Sequence, residues 1–314
     1  MREKKSVCVV DASGPLGHAL VARLLRRGYT VHAATYHHPE EYQQHPRLKL
    51  FRADPLDYHA IADAVHGCSG LFAIFNTPSS QSQSHAPSSC FLDEEEGMVE
   101  AEVRAAHNIL EACAQTDTME RVVFNSSVTA VVWRPDEPSE EDDDAASSPL
   151  DETTWSDLTF CRRFKAPQPY GWLWHALAKT LSERTAWALA MDRGVDMVAI
   201  NAGLLTGAGL NAANPYLKGA PDMYDHGVLV TVDVDFLADA HIAAYECPTA
   251  YGRYLCFNNA VCRPEDAAKL AQMLISSSSA PPSDELKVIP QRIHTNKLNK
   301  LMLEFASGIY GDIN

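Results

Sequence analysis

The sequence predicts an α/β fold, a doubly wound parallel sheet. Three observations carry it. Short apolar runs alternate with helical patterns in βαβαβ order, the strand-like runs are continuously apolar, and a strand-to-helix turn holding two glycines opens the series. Continuous apolar runs are what strands need when crossover helices cover both faces of their sheet.

The elements follow in order. Residues 7–10 form the first apolar run. Residues 15–27 carry an apolar helical face of Leu16, Leu20, Val21, Leu24 and Leu25, with Pro15 suited to a first helical position and Gly28 to the residue after the last. Strands are predicted over 29–34 and 48–51, a helix over 60–65, and a buried strand over 70–75. A long helix over 98–113, a strand over 121–124, a second long helix over 172–191 and a strand over 195–200 complete the alternation. From Ala202 onward it fades, and loops such as 207–225 predict a smaller, substrate-facing lobe. The expected organisation is a dinucleotide-binding part over 1–201, with an acidic loop at 135–149, and a lobe over 202–314 whose segment 228–246 returns to the first part.

Composition bounds the function. The 314 residues include 26 Lys and Arg against 41 Asp and Glu, a formal net charge of −15. Such a surface repels phosphate backbones, which argues against nucleic-acid and membrane-surface roles. Residues 1–5 are charged and run straight into the first strand without an apolar leader, so a cytoplasmic chain is expected. The eight cysteines are scattered without Cys-x-x-Cys or Cys/His spacing, which reads as reduced buried thiols and no metal site. Residues 78–89 are rich in Ser, Gln and Pro, and the 135–149 stretch contains Glu140-Glu141-Asp142-Asp143-Asp144; neither buries apolar area, so both read as solvated loops.

The turn after the first strand reads Asp11-Ala12-Ser13-Gly14-Pro15-Leu16-Gly17. A dinucleotide loop needs small residues where the backbone meets the pyrophosphate and a helix N-terminus behind them. Gly14 and Gly17 meet that need. Asp11 places a carboxylate near the same position, which costs energy unless it is turned away or neutralised. The plain alternative is a strand-to-helix turn that binds nothing.

The segment Leu150-Asp151-Glu152-Thr153-Thr154-Trp155-Ser156-Asp157-Leu158-Thr159-Phe160-Cys161 resembles the one before the catalytic helix in plant cinnamoyl-CoA reductases and dihydroflavonol reductases, which are extended short-chain dehydrogenases. The resemblance extends through Val7-Cys8-Val9, Arg121 to Ser127 in Arg-Val-Val-Phe-Asn-Ser-Ser, Lys179-Thr180-Leu181-Ser182-Glu183, Val232-Asp233-Val234, Ala238-Asp239-Ala240-His241 and Gly252-Arg253-Tyr254. With Trp174-His175-Ala176-Leu177-Ala178-Lys179 on the catalytic helix, the chain is most similar to the divergent cinnamoyl-CoA reductase-like branch.

The resemblance implies a Rossmann-type doubly wound parallel sheet with a smaller C-terminal substrate lobe. It also implies NADP(H) ahead of NAD(H) as cofactor, a small-molecule substrate with a reducible carbonyl of phenylpropanoid-like or other specialised type, and a monomer or weak homodimer. The family reduces carbonyls with a Ser, a Tyr and a Lys; here those positions read Ser127, His175 and Lys179. Cofactor contacts map to Asp11, Ser13, Gly14, Pro15, Leu16, Gly17, Tyr36, Asp54, Pro55, Phe75, Asn76, Lys179, Ala202 and Leu205, and substrate contacts to Trp133, Leu204, Tyr216 and Tyr224.

Five positions depart from the family pattern: Asp11 for its first glycine, Tyr36 for the Arg that pairs with a 2′-phosphate, Arg104 for a relay Asn, His175 for the Tyr and Ala202 for a Pro. Tyr36 stacks on adenine, with His37 or His38 meeting a phosphate, or all three simply face solvent. Phe75 is either core or narrows the nicotinamide end. Imidazole titrates near neutrality and reaches roughly 2 Å less far than phenol, and a neighbouring Lys179 ammonium favours its neutral form. Three readings of His175 stay open: an acid or base in an altered reduction, a group for non-redox proton transfer such as isomerisation or cyclisation, and a packed helix residue in a catalytically silent nucleotide-binding or scaffold protein.

Overall fold

The structure is a computed structural model. It describes residues 5–36, 42, 44–74, 91–135, 149–165, 172–207, 210, 214–274 and 287–307. Phe75, Asn76, His37, His38, the 78–89 loop and most of the acidic stretch lie outside the described residues.

The main layer begins with strand β1 (Ser6–Val10), helix α1 (Pro15–Arg26), β2 (Thr30–Thr35), β3 (Leu48–Arg52), α2 (Tyr58–Val65) and β4 (Gly70–Ala73). It continues through α3 (Phe91–Ala114), β5 (Arg121–Ser127), the short α4 (Leu158–Cys161), α5 (Leu173–Arg193) and β6 (Met197–Ala202). Then come β7 (Leu204–Thr206), α6 (Pro215–Lys218), α7 (Ala220–Asp225), β8 (Val230–Asp233), α8 (Val234–Glu246), β9 (Gly252–Cys256), β10 (Asn259–Ala260), α9 (Pro264–Leu274) and α10 (Asn296–Ala306).

Seven strands form one parallel sheet in the order β3-β2-β1-β4-β5-β6-β9. This is the doubly wound arrangement that the apolar runs predict. Alternate strand residues feed two cores. Val7, Val9, Val31, Phe72, Val123, Val198 and Ile200 pack beneath α1, α8 and α10. Cys8, Val10, Leu71, Ala73, Val122, Phe124 and Met197 face α2, α3 and α5 on the opposite side. Along the interior strands the period of two is therefore filled by apolar side chains on both faces, whereas the edge strand β3 has no buried residue.

Residues beyond 202 contribute to both the main layer and the smaller lobe. Within 228–246, β8 belongs to a small separate sheet, β10-β8-β7, and only α8 packs against α1 on the main layer. β9 adds the seventh strand beside β6, and α10 packs on α8 and β9, so the main layer also recruits residues well beyond 246. β9 is only five residues long, which gives too short an apolar run to stand out within a lobe of irregular pattern. The small sheet, α6 and α7 close over the carboxyl ends of β5 and β6 around a third apolar cluster that includes Trp133, Trp174, Tyr216 and Tyr224.

Two strand ends set the site. The strand order reverses between β1 and β4, which opens a crevice at the carboxyl ends of the sheet, where ligands of such folds bind. Gly17 makes the first turn of α1 possible: a methyl there would lie 2.5 Å from the carbonyl carbon and oxygen of Ala12.

Candidate active site

A cavity of about 300 Å³ lies at that crevice. Its lining brings together Asp11, Gly14, Pro15, Leu16 and Gly17 from the first loop, Ser127 at the end of β5, His175 and Lys179 on α5, and Ala202, Leu204, Leu205 and Tyr216 from the lobe side. Residues more than 150 apart in sequence thus face one space, as the positional argument expects.

The glycine loop fits a phosphate. Gly14 caps α1 in an extended conformation, no side chain caps the helix, and no acid occupies its first turn. A methyl at Gly14 would meet nothing within 4 Å, so the backbone here is open to a ligand. The Asp11 carboxylate is folded back on the loop: its Oδ1 accepts from the Ser13 amide at 3.2 Å and from the Ser13 hydroxyl. Those two bonds hold the carboxylate back on the loop without cancelling its charge.

The proton-handling wall is built by β5, α3 and α5. Ser127 caps the short turn after β5, and its Oγ accepts from the Thr129 amide at 3.2 Å and from the Thr129 hydroxyl at 3.0 Å. His175 and Lys179 stand one helical turn apart, on one face of α5. The Lys179 ammonium is 2.7 Å from Oε1 of Glu102 on α3, and both side chains are almost fully buried. Burial pushes the His175 imidazole down to about 3, and the Lys179 cation adds to the effect, so His175 is neutral at physiological pH.

Glu102 is the site residue that the sequence reading missed. The resemblance points to Arg104 as the relay position, but Arg104 is exposed, whereas Glu102 lines the cavity. An acid two residues before an exposed Arg falls on another helix face, and no local sequence pattern marks it as buried.

One turn beyond Lys179, Glu183 forms a second buried pair with Arg253, Nε to Oε1 at 2.7 Å. Glu183 also accepts from Ser126 at 2.6 Å and Asn201 at 2.7 Å. The Arg253 guanidinium lies 3.7 Å from the centre of the Trp155 ring and donates to the carbonyls of Glu152 and Thr154. Ser156 donates to the carbonyl of Thr129 at 2.8 Å and accepts from the Trp133 amide at 2.9 Å. The tryptophan-serine-aspartate segment therefore braces the end of β5 from below.

Other sequence candidates lie outside this cavity. Tyr36 is 42% exposed at the end of β2. Asp54 closes a local turn by accepting from the Leu56 amide, and Pro55 accepts from Asn108. Ser13 belongs to the glycine loop but does not line the space. Trp133 and Tyr224 do not reach it either: Trp133 packs on Trp172 and Phe160, and the buried Tyr224 donates to the Lys287 carbonyl. Both follow from the same cause, because an apolar ring in this lobe gains more from the third core than from an open mouth. A larger cavity of about 580 Å³ between the small sheet and α9 contains none of the predicted site residues.

Comparison with known proteins decides the family. The chain is 34% identical to cinnamoyl-CoA reductase 1 of Petunia hybrida over 96% of its length and 87% of that protein. The chain belongs to the cinnamoyl-CoA reductase family. Tetraketide alpha-pyrone reductase 1 of Arabidopsis thaliana, a further relative, is 31% identical over 97% of this chain and 92% of that one. Residues 12–151 match a family model described as NAD(P)H-binding. The fold is shared with vestitone reductase from alfalfa, with a TM-score of 0.62 at 24% identity over 95% of this chain and 92% of that one. Within this reductase family, the described residues hold no group of three or more His, Cys, Asp or Glu able to bind a metal, and no helix long and apolar enough to cross a membrane.

Proposed function

We propose that this chain is an NAD(P)(H)-dependent reductase of a small carbonyl compound of the phenylpropanoid-like or another specialised class, with Ser127, His175 and Lys179 as its catalytic residues. One observation carries the reading: the open glycine loop and these three side chains line the same cavity. A bound dinucleotide would rest its pyrophosphate on Gly14 and the start of α1, with Pro15, Leu16 and Gly17 beneath it and Ala202 and Leu205 on the far wall. NADP(H) is preferred over NAD(H), because the end of β2 offers Thr35 and Tyr36 and no acid to accept from a ribose 2′-hydroxyl. When bound, the nicotinamide supplies the hydride.

The chain's own residues do the rest. Ser127 has both lone pairs engaged by Thr129 and so has its proton left to donate to a carbonyl oxygen. Leu204 and Tyr216 shape the substrate side. Lys179, held by Glu102, gives the wall a compensated charge instead of a bare cation. Reduction puts a proton on the new alkoxide oxygen, and it comes from the Ser127 hydroxyl, re-protonated from solvent, while the neutral, half-buried His175 accepts a proton only in the reverse, alcohol-oxidising direction.

That neutrality also favours a second reading, non-redox proton transfer on the same scaffold. The two part on His175→Tyr. In a reductase the phenol preserves or raises carbonyl reduction; in a proton-transfer enzyme it abolishes the native reaction. The primary test is calorimetric titration of the purified protein with NADPH and NADH, followed by turnover against cinnamoyl-CoA thioesters and dihydroflavonols. Binding of NADPH tighter than NADH is expected, and binding of neither overturns the oxidoreductase reading.

A further inference from the structure

Thr129 is buried, 2% exposed, and sits between two candidate catalytic residues that come from different elements. Its hydroxyl donates to Ser127 Oγ at 3.0 Å and lies 3.5 Å from Nδ1 of His175. We infer that Thr129 is a positioning residue that sets the polarity of the cavity, holding Ser127 as a donor and His175 in the tautomer that carries its proton on Nδ1.

The argument is a count of protons and lone pairs. A serine hydroxyl has one proton and two lone pairs. Ser127 Oγ spends both lone pairs on the amide and hydroxyl of Thr129, so its own O–H remains for a ligand. Thr129 has one hydroxyl proton, and it goes to Ser127. Towards His175 it offers only a lone pair, so the contact forms when Nδ1 bears the hydrogen. A neutral imidazole then presents the Nε2 lone pair elsewhere. His175 lines the cavity, so the ligand meets one donor, Ser127 O–H, and one acceptor, His175 Nε2.

Thr129 is itself fixed. Its carbonyl accepts from Ser156 at 2.8 Å, and Ser156 is tied to the Trp133 amide.

The hydrogen-bond logic holds for the protein without ligand, while its catalytic consequence rests on the reductase reading. Nitrogen NMR of the full chain labelled with ¹⁵N-histidine, with the His175 signals assigned by their loss in His175→Gln, reads the tautomer directly. The native protein is expected to show the Nδ1–H form, Thr129→Ser to keep it, and Thr129→Val to convert it towards Nε2–H. Native His175 in the Nε2–H form overturns the inference without any variant at 129, as does an unchanged tautomer in a folded Thr129→Val. With turnover, Thr129→Val should lose roughly tenfold or more in kcat at unchanged KM, and Thr129→Ser should restore it. A parallel rise in KM with kcat intact would instead mark a purely structural residue. Failure of the native protein to bind NADPH or NADH would overturn the reductase reading and leave the tautomer result standing.

Discussion

Helix α5 carries two buried ion pairs one turn apart, and they differ in whether they border the cavity. Glu183 and Arg253 sit in a closed network: Ser126, Asn201 and Trp187 donate to the carboxylate, two carbonyls accept from the guanidinium, and Trp155 covers it. Lys179 and Glu102 meet at the same 2.7 Å, but their pair borders the cavity. Saturated pairs fix a backbone, because removing one partner strands the other without water. A pair on a cavity wall keeps room for a ligand to compete for it. The same ingredients thus brace the scaffold at one turn of the helix and equip the site at the next.

The largest effect tests the closed pair. Arg253→Met should destabilise the fold by about 3–5 kcal/mol, because it leaves the Glu183 carboxylate buried and uncompensated. Urea unfolding checks it. Glu102→Gln should cost well under half as much, since the amide still accepts from Lys179 and the cavity admits water, yet it should impair turnover more than Lys269→Gln on the exposed surface. Equal losses of stability from the two substitutions would erase the contrast between the pairs.

Next comes His175→Ala, with an expected fall in kcat of about 10²–10⁴-fold and cofactor binding nearly intact. An unchanged rate would make the residue helix packing and leave the Lys179–Glu102 pair without a catalytic neighbour.

The fold was legible because its signal is repeated: the apolar runs of β1, β2, β4 and β5 are strands with two buried faces, and α1 between them carries its apolar residues on one face. That Ser127, His175 and Lys179 face one cavity was legible because they keep their spacing relative to the strand and helix that carry them. Glu102, Thr129 and the Glu183–Arg253 network were not. Their importance lies in contacts between elements distant in sequence, such as α3 with α5 and β9 with α5, and no local pattern encodes those. Trp133 and Tyr224 show the converse. A large aromatic side chain in a lobe is equally compatible with a binding mouth and a core, and only packing separates the two.

Acid should weaken the molecule before it weakens the closed pair. His175 and His241 are held neutral by burial, down to about 3 and about 4, and His32 is lowered for the same reason. Unfolded histidine titrates near 6.5, so between that value and the folded ones the unfolded chain binds more protons. Stability then rises with pH across this window and falls as pH drops through it. Asp151, lowered chiefly by its bonds from Thr153, adds in the same direction at lower pH. Urea midpoints should decline from pH 7 to pH 5, with a shallower decline in His241→Gln. For the same reason kcat should show no ionisation near 6.5 that disappears in His175→Gln; finding one would mean that the imidazole is not held neutral.

The smallest effect concerns the glycine loop, where a charge stands at an opening as Glu102 does but pairs with no cation among the described residues. The Asp11 carboxylate lines the cavity and accepts from the Ser13 amide and hydroxyl. These two bonds disperse its charge without cancelling it, so a bound pyrophosphate still meets a like charge, screened by solvent and weakened by the folded-back geometry. Asp11→Gly should therefore tighten NADPH binding only about two- to fivefold at low salt, less than a bare carboxylate against a phosphate would suggest. The gain should shrink as ionic strength rises, since screening removes the same repulsion in the native chain. Ser13→Ala separates the two contributions. It removes one of the two bonds that hold the carboxylate back, and affinity should fall below that of the native chain if Asp11 then swings towards the ligand. Should Asp11→Gly leave affinity unchanged at both salt concentrations while Ser13→Ala also has no effect, the carboxylate does not share space with the pyrophosphate, and the loop binds its ligand from Gly14 and the start of α1 alone.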